Sequence, residues 1–407
     1  MVQMSEKRKK RVLITQRSLF AISGSEITVL EISRHYRESG AEVLVYTHGA
    51  SDYWADILRE EGLRLVVSGT EDAEKQILDF DPTVVWICHS VIPPGLIRSP
   101  CGIKFIFLHL SSFEPLEFVR HPRVEGILAG RVLFVAQEAL KEQRNTGLLR
   151  AIPDERIDVW NNPVPEGYFQ VSELEGRGFR KLLIISNHLS EALSNAIPKL
   201  REQVEVRILG SQTELGATPK LVSPEDFEWA DAVVSIGKSV QMGIAASRPV
   251  FCYDIHGGPG WLDLDNIDRA LEFNFSGRGF REAHNWNLVS EIVEGFPRAQ
   301  AAVGKIRERF GDRFRLSERI PQVEQLAVAI GPHVVVEQLD QSAYALAEKV
   351  ERGYINAVEA RSQTVEYLET LNQIADARSA ELEIQLAELS RLDRCNYGGL
   401  RWRPWRR

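Results

Sequence analysis

The residues best suited to phosphate chemistry lie in one stretch, Val233 to Leu262, VVSIGKSVQMGIAASRPVFCYDIHGGPGWL. It reads as an apolar strand, a tight Gly237-Lys238-Ser239 turn, a helix of small residues from Ser239 to Ala246, a second strand from Pro249 to Tyr253, and a glycine loop, Gly257-Gly258-Pro259-Gly260. A helix beginning at Ser239 points its unpaired backbone N–H groups and positive dipole end into the space before it, which favours a phosphate. Lys238 adds a full charge beside that end, and Gly257, Gly258 and Gly260 allow close backbone approach to a ligand. The expectation is a diphosphate-bearing ligand held from two adjacent strand ends; the plainer reading is a turn glycine followed by a solvated lysine. This is not a nucleotide-triphosphate P-loop, because residue 232, where the full spacing requires glycine, is Ala232. Asp263-Leu264-Asp265 spells a metal-binding D-x-D, but its place at a polar helix start reads as a cap.

Other candidates sit at the ends of apolar runs. His109 closes IKFIFLHL, and a neutral imidazole there is suited to accept a proton, the alternative being a ring bonded to a backbone carbonyl. His89 ends TVVWIC in the same way, and Glu114 and Glu117 follow His109 in SSFEPLE. Asn187 and His188 follow LLIIS; Asp254 and His256 flank the end of the Pro249–Tyr253 strand, where Asp254 can accept from a sugar hydroxyl. Gly24 and Ser25 lie in the first loop, Ser18 to Glu26, and Arg278 in NFSGRGF offers a fork suited to phosphate.

Elements that would position these residues alternate along the chain. Expected strands are Arg11–Thr15, Glu42–His48, Arg64–Ser68, Thr83–His89, Lys104–Leu110, Val132–Ala136 and Arg156–Trp160, several apolar throughout as strands covered on both faces are. Amphipathic segments such as Glu26–Glu38 separate them. The pattern predicts an α/β protein with two Rossmann-like doubly wound domains and a helical C-terminal extension. Asn161 to Gly167, with two prolines, marks the boundary, and from Lys181 the alternation restarts. The expected division is 1–162, 163–320 and 321–407, with ligands in the crevice beyond the strands' carboxyl ends. In the last segment Leu368, Leu371, Ala375, Leu382, Leu386 and Leu389 are spaced for a helical hairpin, a short coiled coil or packing on the body, and the first two allow homo-oligomers. The tail Arg401–Arg407 sets two tryptophans among arginines, the composition of an interfacial membrane contact or of a disordered basic tail.

Composition narrows the function. The 407 residues carry a net charge of −8, which argues against a nucleic-acid partner. Four cysteines without a C-x-x-C pair read as buried small hydrophobes in a reducing compartment, not a zinc site. No run has the ~20 apolar residues of a membrane helix and no secretory signal is evident, so a cytoplasmic protein is expected, with peripheral contact at the inner membrane face if the tail binds there.

Across roughly residues 11 to 315 the chain resembles glycosyltransferases of GT-B architecture, closest to family-four-like enzymes of bacterial surface polysaccharide synthesis. The carriers are SGSEITVLEISRHYRESGAEVLVYTH, RIDVWNNPVPEGYF, ADAVVSIGKSVQMGIAASRPV, YDIHGGPGWL and NFSGRGF. The resemblance implies transfer of a sugar from a nucleotide-diphosphate donor, bound by the second domain, to a saccharide or other acceptor bound by the first, without metal or cofactor. It implies that His109 contacts the donor sugar or the acceptor, and that Lys238 and Asp254 act beside it in catalysis. Donor contacts fall to Gly24, Ser25, Asn187, His188, Gly237, Ser239, Gln241, His256, Gly257, Gly258 and Arg278. Two departures stand out. Such enzymes usually carry a Glu pair before the RPV strand, whereas no Glu lies between Glu228 and Glu272; a ribose or sugar contact then comes from elsewhere, such as Asp254 or Gln241. The usual basic pair after the first strand of the second domain is replaced by Ser186-Asn187-His188. These losses leave two alternatives open, a degenerate protein acting as a binding or scaffold subunit and a sugar-nucleotide epimerase.

Overall fold

The computed structural model describes residues 9–174, 178–280 and 287–361, together with Arg378, Ala380, Glu381 and Ile384. The described residues up to Lys349 form one compact unit built on two sheets. The first sheet contains β1 (Arg11–Gln16), β2 (Glu42–Thr47), β3 (Arg64–Val67), β4 (Val84–Cys88), β5 (Lys104–His109), β6 (Ala129–Phe134) and β7 (Ile157–Val159) in the order β3-β2-β1-β4-β5-β6-β7. Every pairing in it is parallel. The second holds β8 (Lys181–Ile185), β9 (Glu205–Leu209), β10 (Ala217–Thr218), β11 (Ala232–Ser235), β12 (Val250–Asp254) and β13 (Gly257–Trp261) in the order β10-β9-β8-β11-β12-β13.

Helices cover both faces of each sheet, which is why VVWIC and KLLII are apolar along nearly their whole length. Two cores flank the first sheet, one around Phe105, Phe107 and Phe134 and the other around Trp54, Trp86 and Trp160. Strand order reverses between β1 and β4 in the first sheet and between β8 and β11 in the second, and ligands bind at such points in open α/β sheets.

Two expectations change. Gly257 to Gly260 is not a loop: it forms the edge strand β13, antiparallel to β12 across a two-residue turn at Ile255 and His256. A Cβ on Gly258 would stand 2.2 Å from the Cys252 carbonyl oxygen, so the missing side chain lets two backbones pair. The expected break at 320/321 falls inside the helix Leu316–Leu326, and the chain continues to cover the first domain. Leu316, Ile320 and Val323 enter the core around Trp86, while Ile330, Val336 and Tyr344 enter the core around Phe105. Glu324 accepts hydrogen bonds from Lys10 Nζ at 2.7 Å and Tyr36 Oη at 3.0 Å, and Tyr36 Oη in turn accepts from Trp86 Nε1 at 3.0 Å. Tyr36 is buried in this network, which pushes its hydroxyl pKa above the usual tyrosine range.

The described residues from Val350 on belong to a separate unit, of which 350–361 are helical. The leucine-spaced segment from Leu368 to Leu389 and the tail Arg401–Arg407 lie outside the described residues, as does Cys395. Cys88 and Cys252 are buried, whereas Cys101 is exposed and departs from the buried reading. No helix among the described residues is long and apolar enough to cross a membrane.

Candidate active site

The carboxyl ends of the two sheets face each other across a cleft of about 990 Å³. The first domain supplies the loop after β1, Phe20 to Ser25, with Leu110, Ser111 and Glu117 after β5 and Val135 after β6. Opposite stand Ser186 to His188 after β8, Gly210 and Ser211 after β9, Ile236 to Ser239 after β11, and Asp254 at the end of β12. Gly24, Ser25, Asn187, His188, Gly237, Lys238, Ser239 and Asp254, separated by up to 230 positions in sequence, thus line one cavity.

Gly237 shapes the phosphate-friendly end of this cleft. Its φ of 60° and ψ of −135° turn the chain from β11 into the helix Lys238–Ala245, and its N–H donates to the Phe275 carbonyl at 3.0 Å. The helix therefore begins at the cleft wall; the Val240 amide donates to the Gly237 carbonyl at 3.0 Å, and those of Lys238 and Ser239 are the donors that the helix start offers. Two side-chain contacts bridge the domains around it. Asn187 Nδ2 donates to the Ile22 carbonyl at 2.7 Å, and Asn162 Nδ2 donates to Asn274 Oδ1 at 2.9 Å. On the first-domain side, Ser25 Oγ donates to Glu26 Oε2 at 2.8 Å, fixing the start of the helix Gly24–Glu38.

Lys238 lines the cleft, but its charge is already engaged. Its Nζ lies 2.6 Å from Glu31 Oε2 and donates to the Pro163 carbonyl at 3.1 Å. An ammonium only 7% exposed needs such partners, because burying it unpaired costs far more than any single contact returns. The close Glu31 contact is an ion pair without the alignment of a hydrogen bond at Oε2. Burial raises the Glu31 pKa more than Lys238 lowers it. Arg278 is committed in a similar way: its guanidinium grips Glu138 of the first domain at 2.9 and 2.5 Å and lies 4.8 Å from the Phe113 ring centroid. Its fork is filled by a carboxylate in place of the expected phosphate.

Five further candidates, Gln241, His256, Gly257, Gly258 and His109, stand away from the cleft wall. Gln241 is fully buried, and its amide, oriented by its hydrogen bonds, donates to the Gly237 and Lys238 carbonyls of its own helix. Gly257 and Gly258 are buried in β13, and His256 is exposed at the turn before it. His109 is fully buried behind the wall; Nδ1 lies 3.0 Å from the Glu117 carbonyl oxygen and Nε2 lies 3.2 Å from Glu125 Oε2. Ser90 Oγ donates to the other oxygen of Glu125 at 2.6 Å.

The side chain that reaches the cleft from this cluster is Glu117, with His89 Nε2 3.2 Å from its Oε2. Burial raises the Glu117 pKa, but His89, Arg17 and His109 outweigh it and hold the carboxyl below its ordinary range. The sequence signal was the alternation of a strand-end histidine with a carboxylate eight residues on; only the fold shows that the carboxylate faces the cleft and the histidine supports it. Phe20 and Asn274, in loops, and Tyr53, in the first turn of the helix Asp52–Glu60, also line the cleft without a sequence signal.

Among the described residues no group of three or more His, Cys, Asp or Glu side chains is arranged to hold a metal ion. In the D-x-D segment, Asp263 Oδ1 accepts from the Asp265 and Asn266 amides and Oδ2 pairs with Arg298 at 2.7 Å, so Asp263 organises its own turn.

No family model matches the sequence, and no curated protein matches it. Solved structures do. HepE from Anabaena, in complex with UDP and glucose, aligns with a TM-score of 0.50 at 12% identity over 78% of this chain and 98% of its own. A glycosyltransferase from Rickettsia africae aligns at 0.47 and 14% identity over 78% and 98%, and S. aureus TarM at 0.47 and 11% over 79% and 100%. At these identities the likeness concerns the backbone and does not single out a family within the architecture. The two facing parallel-dominated sheets and their linker are those of the GT-B glycosyltransferases, and this chain has the GT-B fold.

Proposed function

We propose that this chain is a glycosyltransferase that moves a sugar from a nucleotide-diphosphate donor, held against the second domain, to a saccharide or other acceptor held against the first. The observation that carries the reading is the placement of the Gly237–Ser239 helix start, Asn187, His188 and Asp254 together on one wall of a cavity formed at two switch points. HepE, which shares the fold, is described with UDP and glucose, and that chemistry suits this cleft. In the proposed complex the helix amides and His188 meet the diphosphate without a metal ion, and Asp254 accepts a hydroxyl of the ribose or sugar. One preorganised donor of this kind contributes ~3 to 4 kcal/mol to stabilising charge that develops on a leaving group.

The test is a thermal-shift panel of nucleoside diphosphates followed by donor consumption in the presence of EDTA. Binding of at least one nucleotide, with consumption unaffected by EDTA, supports the proposal; no binding to any of them rejects it.

A second reading, a binding or scaffold subunit of the same fold, is favoured by one observation. Both lysines that line the cleft are paired, Lys238 with Glu31 and Lys220 with Asp226 at 2.7 Å. Nucleotide binding without any donor consumption would select it. An epimerase would instead convert the free sugar nucleotide with no acceptor present.

A further inference from the structure

We infer that Glu117 is the base that takes the proton from the acceptor hydroxyl, that His89 is its positioning partner, and that the transfer is a single displacement which inverts the anomeric centre. The inference rests on the glycosyltransferase reading above and adds to it a residue, a mechanism and a stereochemical outcome.

Glu117 is the one acidic side chain that the first domain presents to the cleft among the described residues. Its setting is built from three strand ends. His89 follows β4 with φ of 54°, and Ser90 follows it with φ of 58°, two successive non-glycine residues in the left-handed region at the first sheet's switch point. Such strain persists where the surroundings enforce it, and it concentrates at functional sites. It brings the His89 ring, 3% exposed, to 3.2 Å from the Glu117 carboxylate. Both ring nitrogens of His89 are buried without an aligned hydrogen bond among the described residues, so its contact with Glu117 through Nε2 is one of charge and proximity. Below them His109, tied to Glu125, donates through Nδ1 to the Glu117 carbonyl and fixes the backbone that carries the carboxylate. The groups facing Glu117 are His89, Arg17, His109 and the Cys88 thiol, and the three that can carry positive charge favour its ionised form.

On the donor wall the second domain's acidic side chain among the described residues is Asp254, assigned above to a hydroxyl of the ribose or sugar, and between residues 228 and 272 there is no Glu. The single displacement therefore rests on the position of Glu117 opposite it. The carboxylate on the opposite, acceptor wall is placed for the simpler step. The acceptor O–H bond breaks and its proton goes to Glu117; the oxygen's electron pair forms the new bond to the anomeric carbon. The bond from that carbon to the diphosphate oxygen breaks, and its pair leaves with the nucleoside diphosphate.

The full chain, Glu117→Gln, Glu117→Ala and His89→Gln are compared on nucleoside diphosphate binding by thermal shift and on transfer from a panel of UDP-, GDP- and dTDP-sugars to a panel of saccharides. The nucleotide shift is expected to be unchanged in all three variants. Glu117→Gln should lose on the order of 10²- to 10⁴-fold in transfer, the span general bases supply, and formate should restore part of the rate in Glu117→Ala. Because His89 holds the Glu117 pKa down, His89→Gln should move the acid limb of the kcat/KM profile to higher pH, which a merely structural loss would not do. Proton NMR of the product should show the inverted anomer. Transfer within about threefold of wild type in Glu117→Gln, or a product of retained configuration, overturns the inference while leaving the transferase reading intact. If no nucleotide binds and no donor is consumed, both fall.

Discussion

Lys238 Nζ of the second domain and Glu31 Oε2 of the first lie 2.6 Å apart, with side chains 6% and 5% exposed. The residue that reads from sequence as a free cation beside a phosphate is one half of a buried interdomain ion pair. Pairing does not remove it from the cleft wall, but it sets a cost for any ligand that recruits the ammonium, because Glu31 must then be satisfied elsewhere or take up a proton.

Lys238→Ala should therefore act first on stability. Removing one partner of a buried pair leaves the other unpaired, a loss of ~3 to 5 kcal/mol, whereas Lys238→Met with Glu31→Leu removes both charges and should recover most of it. Melting temperatures of the single and double variants decide this. A single variant as stable as wild type would show that the pair carries no structural weight.

Arg278 of the second domain and Glu138 of the first are joined at 2.9 and 2.5 Å, a second interdomain pair outside the residues that line the cleft. A bidentate contact with both groups mostly buried is worth more than a surface pair, and Arg278→Ala should shift the open–closed balance about tenfold, ~1.4 kcal/mol, toward open. The expected result is a larger radius of gyration in small-angle scattering for the variant, approached by wild type in 1 M salt. Identical scattering curves would count against the latch.

The fold was legible because burial on both faces of each sheet writes near-continuous apolar runs into the sequence, and strands such as Glu42–Thr47 and Lys104–His109 fall within a residue of their expected ends. The Gly257–Gly260 strand was not, since glycine's low strand propensity hides a pairing that here demands the absence of a Cβ. In the site, the positions that follow strands were readable from chain order alone, which is why Asn187, Gly237 and Asp254 reach the cleft. The partners of Lys238 and Arg278 were not, because Glu31 and Glu138 lie 207 and 140 residues away and only the fold brings them close.

The glycines divide accordingly. Gly277 has φ of 81° and a Cβ there would stand 2.4 Å from the Gly257 carbonyl oxygen, whereas Gly237, with φ of 60°, has open space around it. Gly277→Ala should cost more than 2 kcal/mol, about the loss expected where both strain and a backbone clash apply, and Gly237→Ala about 1 kcal/mol from conformation alone. Comparable melting temperatures for the two variants would contradict this assignment.

Truncation separates the part of the C-terminal segment that belongs to the body. A chain ending at residue 349 should keep the melting temperature of the sheets, while one ending at residue 320 loses Val323, Ile330, Val336 and Tyr344 from the first domain's cores. Each such side chain is worth roughly 1.5 to 3 kcal/mol on burial, so the shorter chain should be unfolded or aggregated at 37 °C. Recovery of a cooperative, native-like transition from the shorter chain would show that these contacts are dispensable.

Glu117 supplies the pH signature. Its folded pKa lies below the ordinary carboxyl value of 4.5, because His89, Arg17 and His109 together outweigh the opposing effect of burial. A depressed carboxyl pKa stabilises the fold above the unfolded value, and that stabilisation is lost as pH falls through the folded one. The difference in melting temperature between wild type and Glu117→Gln should thus be constant from pH 7 to about 5 and shrink below it. If the difference grows instead as the pH falls, the carboxyl is raised rather than lowered, and the cluster of positive groups around it does not hold it ionised.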